Sequence, residues 1–393
     1  MIYRVLIAGA GPAGASLAIR LTDSGHEVTL IEREKFPRHK LCGEFISPEC
    51  LPQFGELGVL DQMLAAGGER IFETRFFEKN GRSFSIPSQL LVDGGFALSL
   101  SRARMDDILL NRARAAGAIV IDDAKITDIF LDKGQITSTT ISSNGSRGSI
   151  INADIFVDAT GRGMALSRLA EHKSGKPRKG RSAKPLAVGF KAHFDRSNIP
   201  PGVCEIYFFP GGYGGLTSIE NGQANLCFFA KPEAIKEYAG DADRITRELV
   251  STNRRALETL RSAKRAGDWL AVSVNSFGKR SPVSENGVLA VGDSAAFIDP
   301  FTGSGMLMAL ESSSILASAI NGGGSQTEIE GRYLVEYTQA FDRRLRVCAL
   351  LRRAAFMPLL PSLAITFLDL SRHSRTYLAN ATRRDRPTRP KSA

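Results

Sequence analysis

The sequence predicts an α/β fold: a Rossmann-like domain that is discontinuous along the chain, an inserted mixed β-sheet domain and a helical C-terminus. Three observations predict it. Apolar, strand-like segments lead into turns near residues 9–14, 157–161 and 291–305. Helix-like stretches follow the first and third turns, as in a parallel sheet covered by helices. Further strand-like runs between the second and third turns predict the inserted sheet.

The first turn follows the apolar residues 5–8 and opens a helical stretch at 15–23. Gly9 allows the tight turn, Gly11 lets the backbone approach a pyrophosphate, and Gly14 permits close packing of helix on strand. The helix N-terminus offers unpaired N–H groups to the anion, so no charged side chain is required. The nucleotide contacts predicted in this turn are Gly9, Gly11, Pro12, Ala13 and Gly14.

The second strand, Glu27–Ile31, ends at Glu32 and Arg33, both of which are predicted to contact the same nucleotide. A carboxylate at the position of Glu32 accepts hydrogen bonds from the ribose hydroxyls of an adenosine. It also disfavours a 2′-phosphate. The turn and the carboxylate together therefore predict FAD or NAD rather than NADP.

The third turn favours FAD. Residues 288–293 read as an apolar strand ending at Gly292 and Asp293, and a helix is predicted for about 306–320. An Asp at a strand end suits a ribityl hydroxyl, and a helix start aims its positive dipole at the flavin pyrimidine ring. The alternative is an ordinary strand, loop and helix with an N-capping Asp. The flavin contacts predicted here are Gly292, Asp293, Pro300, Gly303, Ser304, Gly305 and Met306.

These motifs resemble the flavoprotein superfamily of p-hydroxybenzoate hydroxylase over most of residues 1–330. Residues 36–44, FPRHKLCGE, followed by Ser47 and Pro48, are similar to the branch that holds geranylgeranyl reductases, with flavin-dependent halogenases nearby. The resemblance implies that Arg102 contacts the cofactor and that Asp293 binds the ribityl chain. It places Cys42 near the flavin ring. Further cofactor contacts are predicted at Lys40, Cys42, Gly43, Thr160 and Gly161.

Departures from the family patterns bear on the reaction. Hydroxylases of the superfamily usually carry Ala-Asp-Gly where this chain has residues 158–161, DATG, a form more similar to the reductase and halogenase branch. The reductases' tyrosine–tryptophan–phenylalanine–proline motif is not reproduced, because Tyr213 is followed by GGLT. The tryptophan-rich halogenase signature is missing too, since Trp269 is the only tryptophan.

The leading functional prediction is an FAD-dependent monooxygenase that hydroxylates an apolar or aromatic small molecule through a flavin hydroperoxide. The alternative is a geranylgeranyl reductase-like enzyme that reduces carbon–carbon double bonds. A third hypothesis is an FAD-bearing interaction or carrier protein without turnover. Cys42 and Tyr213 are the predicted catalytic pocket residues, although the flavin carries the chemistry and Cys42 alternatively only packs. Because the sequence has no second nucleotide-binding glycine motif, either NAD(P)H binds transiently or a separate flavin reductase supplies electrons.

Composition indicates a globular chain: 393 residues with 43% hydrophobic content are ample for a sizeable core. The five cysteines show no disulfide framework or metal-type pairing, and the five histidines show no metal or triad spacing, so no metal site is predicted. This cysteine usage fits a reducing cytosol. Because the N-terminus enters a predicted strand almost at once, we expect no signal peptide. We expect a cytoplasmic protein, with or without peripheral membrane contact, and no nucleic-acid partner.

The net charge of +10 is concentrated in two segments. Residues 162–184 contain eight lysines or arginines and one glutamate, and residues 372–391 contain seven and one aspartate. These segments fit attraction to an acidic membrane surface, a carrier protein or NAD(P)H phosphates, or simply a solvated loop and a frayed tail. The uncharged residues 354–368 are too short to span a bilayer, which needs ~20 residues. They suit a cap over an apolar pocket, an interfacial segment or a packed C-terminal helix.

The expected domain organisation is discontinuous. Residues 1–75, 100–175 and 275–330 are predicted to form the FAD-binding domain, and residues 76–99 and 180–274 the substrate domain. Residues 331–393 are predicted to form a C-terminal helical region and basic tail. Within the substrate domain, strands are predicted at 186–194, 204–209 and 224–229, and helix at 235–265.

Overall fold

A computed structural model describes residues 1–92, 94–143, 148–175, 184–299 and 303–355, with side chains to residue 350. The strands are β1 (Arg4–Ala8), β2 (Glu27–Ile31), β3 (Phe45–Ile46), β4 (Glu69–Ile71), β5 (Glu73–Phe77), β6 (Ser83–Pro87), β7 (Ala97–Ser99), β8 (Ile119–Ile121), β9 (Ala124–Asp132), β10 (Gln135–Ser143), β11 (Ser149–Asn152), β12 (Ile155–Asp158), β13 (Ala187–Asp195), β14 (Val203–Phe209), β15 (Gly212–Ser218), β16 (Ala224–Ala230), β17 (Lys264–Val274), β18 (Gly278–Lys279), β19 (Val288–Ala290) and β20 (Ala296–Phe297). The helices are α1 (Pro12–Asp23), α2 (Cys50–Glu56), α3 (Leu60–Ala65), α4 (Arg102–Ala116), α5 (Ala165–Lys173), α6 (Pro232–Ile235), α7 (Ala242–Glu248), α8 (Arg254–Leu260), α9 (Gly305–Asn321) and α10 (Gln326–Ala355).

A five-stranded parallel sheet carries the glycine turns at its edge. Its order is β19-β12-β1-β2-β8, and every neighbouring pair is parallel. The strands are short and almost wholly apolar because helices cover the sheet. Helix α1 lies between α4 and α9, and its apolar face is buried in the largest core cluster of the chain. This order brings the carboxyl ends of β1, β12 and β19 together, where ligands bind in open α/β sheets.

A second, mixed sheet has seven strands in the order β17-β13-β16-β15-β14-β5-β6. Its neighbours are antiparallel except for β14 and β5, which are parallel. One face packs against the short helices through an aromatic cluster that includes Phe190, Phe228 and Trp269. The other face packs Tyr213 and Phe229 into a separate cluster. This is the inserted mixed sheet that the sequence predicts.

The segment 235–265, predicted to be helical, contains the short helices α7 and α8 and not one long helix, and its end differs from the prediction because β17 begins at Lys264. Ala239 and Gly240 both adopt left-handed backbone conformations, with φ of +49° and +84°, which end the preceding helical turn. Asn253 then caps α8 by accepting hydrogen bonds from the backbone N–H groups of the first turn.

The C-terminal part is helical, as predicted. Helix α10 packs on α9, and Tyr333, Tyr337 and Phe341 of α10 are buried. Within the described ranges, no helix is long and apolar enough to cross a membrane. Residues 356–368, the basic segment 372–391 and residues 176–183 of the basic segment 162–184 lie outside the described residues. The predicted fold class, a Rossmann-like cofactor unit with an inserted mixed sheet and C-terminal helices, is confirmed.

Candidate functional site

The turn after β1 is built so that only glycine fits at two positions. Gly9 has a φ of +102°, and a Cβ there would lie 2.4 Å from the carbonyl oxygen of Ala159. A Cβ on Gly14 would lie 1.9 Å from the carbonyl oxygen of Gly9. By contrast, a Cβ on Gly11 would meet only the Arg102 side chain, at 3.9 Å. The backbone at Gly11 is therefore open on the side that the Arg102 guanidinium faces. This arrangement fits a pyrophosphate.

Glu32 is buried and bound to this turn. Its Oε2 accepts a hydrogen bond from the backbone N–H of Ala10 at 3.0 Å, and its Oε1 accepts one from Glu34 at 3.1 Å. Nη2 of Arg38 lies 3.3 Å from Oε2. The carboxylate therefore braces the nucleotide turn, and its contact with a ribose stays a prediction. Arg33, also predicted to bind the nucleotide, instead pairs with Glu34 at the surface.

Asp106 on α4 joins two arginines beneath the turn. Its carboxylate accepts hydrogen bonds from Nη1 of Arg38 at 2.7 Å, and from Nε and Nη2 of Arg102 at 2.8 and 2.7 Å. Burial opposes the charge on Arg102, but Asp106 and a hydrogen bond to Cys42 outweigh it and raise the pKa of Arg102. Arg102 is thus a permanent cation held beside Gly11, as its predicted role requires.

The second and third turns are tied together through Asp158. Its Oδ1 accepts hydrogen bonds from the backbone N–H and hydroxyl of Thr160, at 3.0 and 2.6 Å, and from the Ser294 hydroxyl at 3.0 Å. The backbone N–H of Gly161 donates to the same Ser294 hydroxyl at 2.9 Å. Thr160 and Gly161 therefore lie directly beside the flavin segment that begins at Gly292.

Asp293 is the carboxylate that the geometry leaves available for a ligand. Among the described residues, no side chain or backbone group donates a hydrogen bond to its carboxylate. Burial raises its pKa, while Arg162, Arg102 and Arg280 oppose that shift. A half-buried carboxylate that faces three cations without a fixed donor is well suited to a ribityl hydroxyl.

The flavin segment approaches α1 closely. Gly292 has a φ of +59°, and a Cβ there would lie 2.9 Å from Cβ of Ala13. Gly303 is also left-handed, and α9 begins at Gly305 and Met306 without a side-chain cap from Ser304. The first N–H groups of α9 are therefore not satisfied by its N-cap side chain. Pro300, another predicted contact, lies outside the described residues.

Residues 40–44 lie between the cofactor unit and the mixed sheet. The carbonyl oxygen of Cys42 accepts a hydrogen bond from Nδ2 of Asn225 at 3.1 Å, and its Sγ accepts one from the backbone N–H of Glu44 at 3.4 Å. Lys40, predicted to contact the cofactor, forms an ion pair with Glu34 at 3.0 Å. Beside Cys42, Gly43 has open space where a Cβ would stand.

Tyr213 reaches the cofactor unit from the mixed sheet. Its buried hydroxyl donates a hydrogen bond to the carboxylate of Asp299, which belongs to the flavin segment. Cys42 and Tyr213, the two predicted pocket residues, therefore both lie where the two sheets meet. A substrate pocket at this junction, and the part of both residues in catalysis, stay predictions.

The same junction holds a buried charge cluster that the sequence analysis missed. Nζ of Lys191 lies 2.5 Å from Oε1 of Glu44, and Nε2 of His193 lies 2.7 Å from Oε2. The backbone N–H of Arg102 also donates to Oε1, at 2.8 Å. Burial opposes ionisation of Glu44, but His193 and Lys191 prevail and lower its pKa. Glu44 is therefore an ionised carboxylate inside the protein.

His39 completes this cluster at the surface. Its ring meets the His193 ring edge-on, with centroids 5.3 Å apart. The nitrogen and oxygen atoms of His39, Glu44 and His193 lie within 4.8 Å of one another, a grouping that the linear spacing of the histidines does not reveal. One feature of the sequence indicates part of this cluster. Lys191 and His193 alternate with apolar residues in a predicted strand, which puts both side chains on one face of the sheet.

The three turns and the Arg102–Asp293 geometry fit FAD, and the comparisons with known proteins agree. Residues 3–332 match the family model described as FAD binding domain, so the chain belongs to this family. The resemblance to the p-hydroxybenzoate hydroxylase-like superfamily is thereby confirmed. This protein is an FAD-dependent oxidoreductase.

Its relatives perform more than one reaction. The chain is 25% identical over 390 residues to a menaquinone reductase of Mycolicibacterium smegmatis, a match covering 96% of this chain and 90% of the relative. It is 27% identical over 364 residues to a 1H-pyrrole-2-carbonyl-[peptidyl-carrier protein] chlorinase of Pseudomonas fluorescens, covering 81% and 75%. It is 24% identical to a digeranylgeranylglycerophospholipid reductase of Methanosarcina acetivorans, covering 88% and 81%.

Solved structures share the fold. A flavin-dependent brominase superposes with a TM-score of 0.78 at 19% identity, covering 98% of this chain and 95% of its own. A geranylgeranyl bacteriochlorophyll reductase-like protein of Thermoplasma acidophilum superposes with a TM-score of 0.77 at 19% identity, covering 96% and 95%. At this identity the likeness shows the fold alone.

Proposed function

We propose that this protein is an FAD-dependent reductase that saturates a carbon–carbon double bond in an apolar, isoprenoid-type small molecule. The observation that carries the proposal is the extent of the match to reductases. The menaquinone reductase aligns over 96% of this chain and 90% of its own length, whereas the chlorinase aligns over 81% and 75%. In sequence, the match to this reductase thus extends over more of both chains than the match to the chlorinase.

The sheet face at the junction supports an apolar substrate. Gly189, Phe229, Tyr213 and Phe208 are direct partners across four adjacent strands and therefore share one face. The rings of Phe229 and Tyr213 are stacked, with centroids 6.1 Å apart. Leu41, next to Cys42, packs in the same cluster. Apolar and aromatic walls with a few polar groups are typical of small-molecule pockets.

Different residues of the chain would bind FAD and line the substrate side in such an enzyme. Arg102 and the open backbone at Gly11 would hold the pyrophosphate of FAD, and Asp293 would hold its ribityl chain. When bound, FAD supplies hydride transfer. Cys42 and Tyr213 line the substrate side, where the packed sheet face excludes water. NAD(P)H or a separate flavin reductase supplies the electrons.

A second candidate is the monooxygenase that the sequence analysis places first. The observation that favours it is the segment after Tyr213, where Gly214 and Gly215 stand in place of the reductases' tryptophan-containing motif. In that case the substrate is an apolar or aromatic molecule, free or bound to a carrier protein, and the product gains oxygen. An FAD protein without turnover is the remaining alternative.

Anaerobic single-turnover experiments test the proposal. The purified holoprotein is photoreduced without oxygen and mixed with geranylgeraniol in detergent micelles, a probe whose only reducible groups are isoprenoid double bonds. We expect the oxidised flavin spectrum to return and the product to gain two hydrogens. FAD-depleted protein serves as the control. A flavin that stays reduced until oxygen is added, with an oxygenated product thereafter, would contradict the proposal.

A further inference from the structure

Lys191 is a cation buried in the middle of the mixed sheet. Its side chain is 2% exposed, although lysine is almost never fully buried unless it is paired. Glu44 is its one hydrogen-bond partner among the residues that the structure describes. An ammonium group has three donors, so two of the Lys191 N–H groups have no hydrogen-bond partner in the described part of the chain.

The strand register places Lys191 on the functional face of the sheet. Lys191 pairs with Cys227, which pairs with Gly215, so the three share one face. Gly189 lies two residues earlier on β13 and therefore on the same face, in the aromatic row that includes Tyr213. The Lys191 ammonium thus stands one row from the proposed substrate wall, and Gly215 contributes no side chain to screen it.

A series of proton-carrying groups connects Lys191 to solvent. Glu44 bridges Nζ of Lys191 at 2.5 Å and Nε2 of His193 at 2.7 Å. His39 is exposed, and one of its ring nitrogens lies within 4.8 Å of a ligand atom of each of His193 and Glu44. That separation is short enough for one water molecule to bridge. The series therefore runs from the surface at His39 to the buried ammonium.

The charged surroundings suit transfer at the outer end. Burial, together with the Lys191 and His193 side chains, lowers the pKa of His39 below its usual 6.5, while Glu44 and Glu220 oppose this shift. A lowered pKa favours release of a proton from the His39 ring over its retention. At the inner end, the Glu44 carboxylate faces Lys191, His193 and the backbone N–H of Arg102, with the thiol of Cys227 beside Lys191.

We propose that Lys191 donates the proton consumed in substrate reduction, and that Glu44, His193 and His39 return a proton to it from solvent. The proposal rests on the proposed reductase function. Hydride from reduced flavin forms one C–H bond, and the π electrons of the double bond take a proton from the Lys191 ammonium to form the second. The resulting amine regains its proton through the series. Both electrons come from reduced flavin.

The first test needs no substrate. Proton transfer along the series exchanges the Nζ protons of Lys191 with solvent, so NMR of holoprotein with ¹⁵N-labelled lysine follows exchange between the Lys191 ammonium and water. Lys191→Met, or Lys191→Met/Glu44→Gln where the single change prevents folding, removes this signal and so assigns it. Lys264→Met is the control and should leave the signal in place, since Lys264 is exposed on β17 of the same sheet. His39→Gln is expected to slow the exchange at least tenfold while FAD affinity stays within twofold, and an unchanged exchange rate would overturn the inference.

The second test uses buffer rescue. In weak buffer, added imidazole is expected to restore the wild-type rate of Lys191 proton exchange to His39→Gln, because a mobile base replaces the outer group. A merely structural role of His39 would not respond to imidazole. Stoichiometric Zn²⁺ binding to wild-type protein that Glu44→Gln abolishes would overturn the inference, since it would make His39, Glu44 and His193 metal ligands.

The third test uses geranylgeraniol and separates the two proposals. Lys191→Met is expected to slow anaerobic saturation about 100-fold or more, the usual contribution of a general acid. If wild-type protein leaves the probe unchanged while His39→Gln slows exchange at Lys191, the reductase proposal fails and the proton series stands. If wild-type protein saturates the probe, Lys191→Met saturates it equally fast and His39→Gln exchanges like wild type, the proton series is wrong and the reductase proposal stands.

Discussion

Replacing Asp106 by Asn should destabilise the protein through the two arginines that it joins. The buried carboxylate receives three hydrogen bonds, all between 2.7 and 2.8 Å, from Arg38 and Arg102. Removing one partner of a buried ion pair typically costs about 3–5 kcal/mol. Arg38 keeps Glu32 at 3.3 Å, and Arg102 is partly exposed, so we expect the lower end of this range, about 3 kcal/mol.

Urea unfolding of the FAD-free protein, followed by circular dichroism, measures the effect. Asp107→Asn is a matched control, because Asp107 is the next residue on α4 and contacts only Asn111 among the hydrogen-bond partners in the described part of the chain. We expect that control to change the free energy of unfolding by less than about 0.5 kcal/mol. A loss below about 1 kcal/mol in Asp106→Asn would refute the reasoning that two buried cations depend on this carboxylate.

Three further predictions concern the cofactor turns and the buried carboxylate. Gly11→Glu should abolish FAD binding in a fluorescence titration, because the new carboxylate fills the pyrophosphate side; stoichiometric FAD would contradict this. Asp293→Ala should weaken FAD binding by about 1–3 kcal/mol in calorimetry. An unchanged affinity would mean that Asp293 only caps a helix and does not bind FAD. The pKa of Glu44 in the folded protein is lowered from its usual 4.5. Its ionised form therefore stabilises the fold fully above pH 4.5, and this stabilisation is lost as the pH falls through the lowered pKa. Glu44→Gln should therefore flatten the acid limb of the curve of unfolding free energy against pH, and an acid limb identical to wild type would count against the buried ion pair.

The cofactor turns could be predicted from the sequence because their constraints are local. Neither Gly9 nor Gly14 has room for a Cβ. Only glycine fits such close backbone approaches, so the spacing of the glycines in the sequence reveals them. The strands around them are short apolar runs whose ends the glycines mark. The fold class follows from that pattern, since a parallel sheet needs covered strands joined by helices.

The charge cluster could not be predicted in the same way. Glu44 and Lys191 are 147 residues apart, and Glu44 and His193 are 149 apart, so only tertiary packing brings them together. Strand β15 was missed because its glycines weaken the strand signal, while its backbone pairs fully on both sides. Alternation around Lys191 and His193 was the one local clue.

Mass spectrometry of a single turnover under labelled oxygen tests the central claim most directly. Photoreduced holoprotein is mixed with geranylgeraniol, once without oxygen and once under ¹⁸O₂, and the products are compared. A reductase yields the same product in both cases, heavier by two hydrogens and free of label. Incorporation of ¹⁸O, with no saturated product in the anaerobic sample, would contradict the reductase account and support monooxygenation.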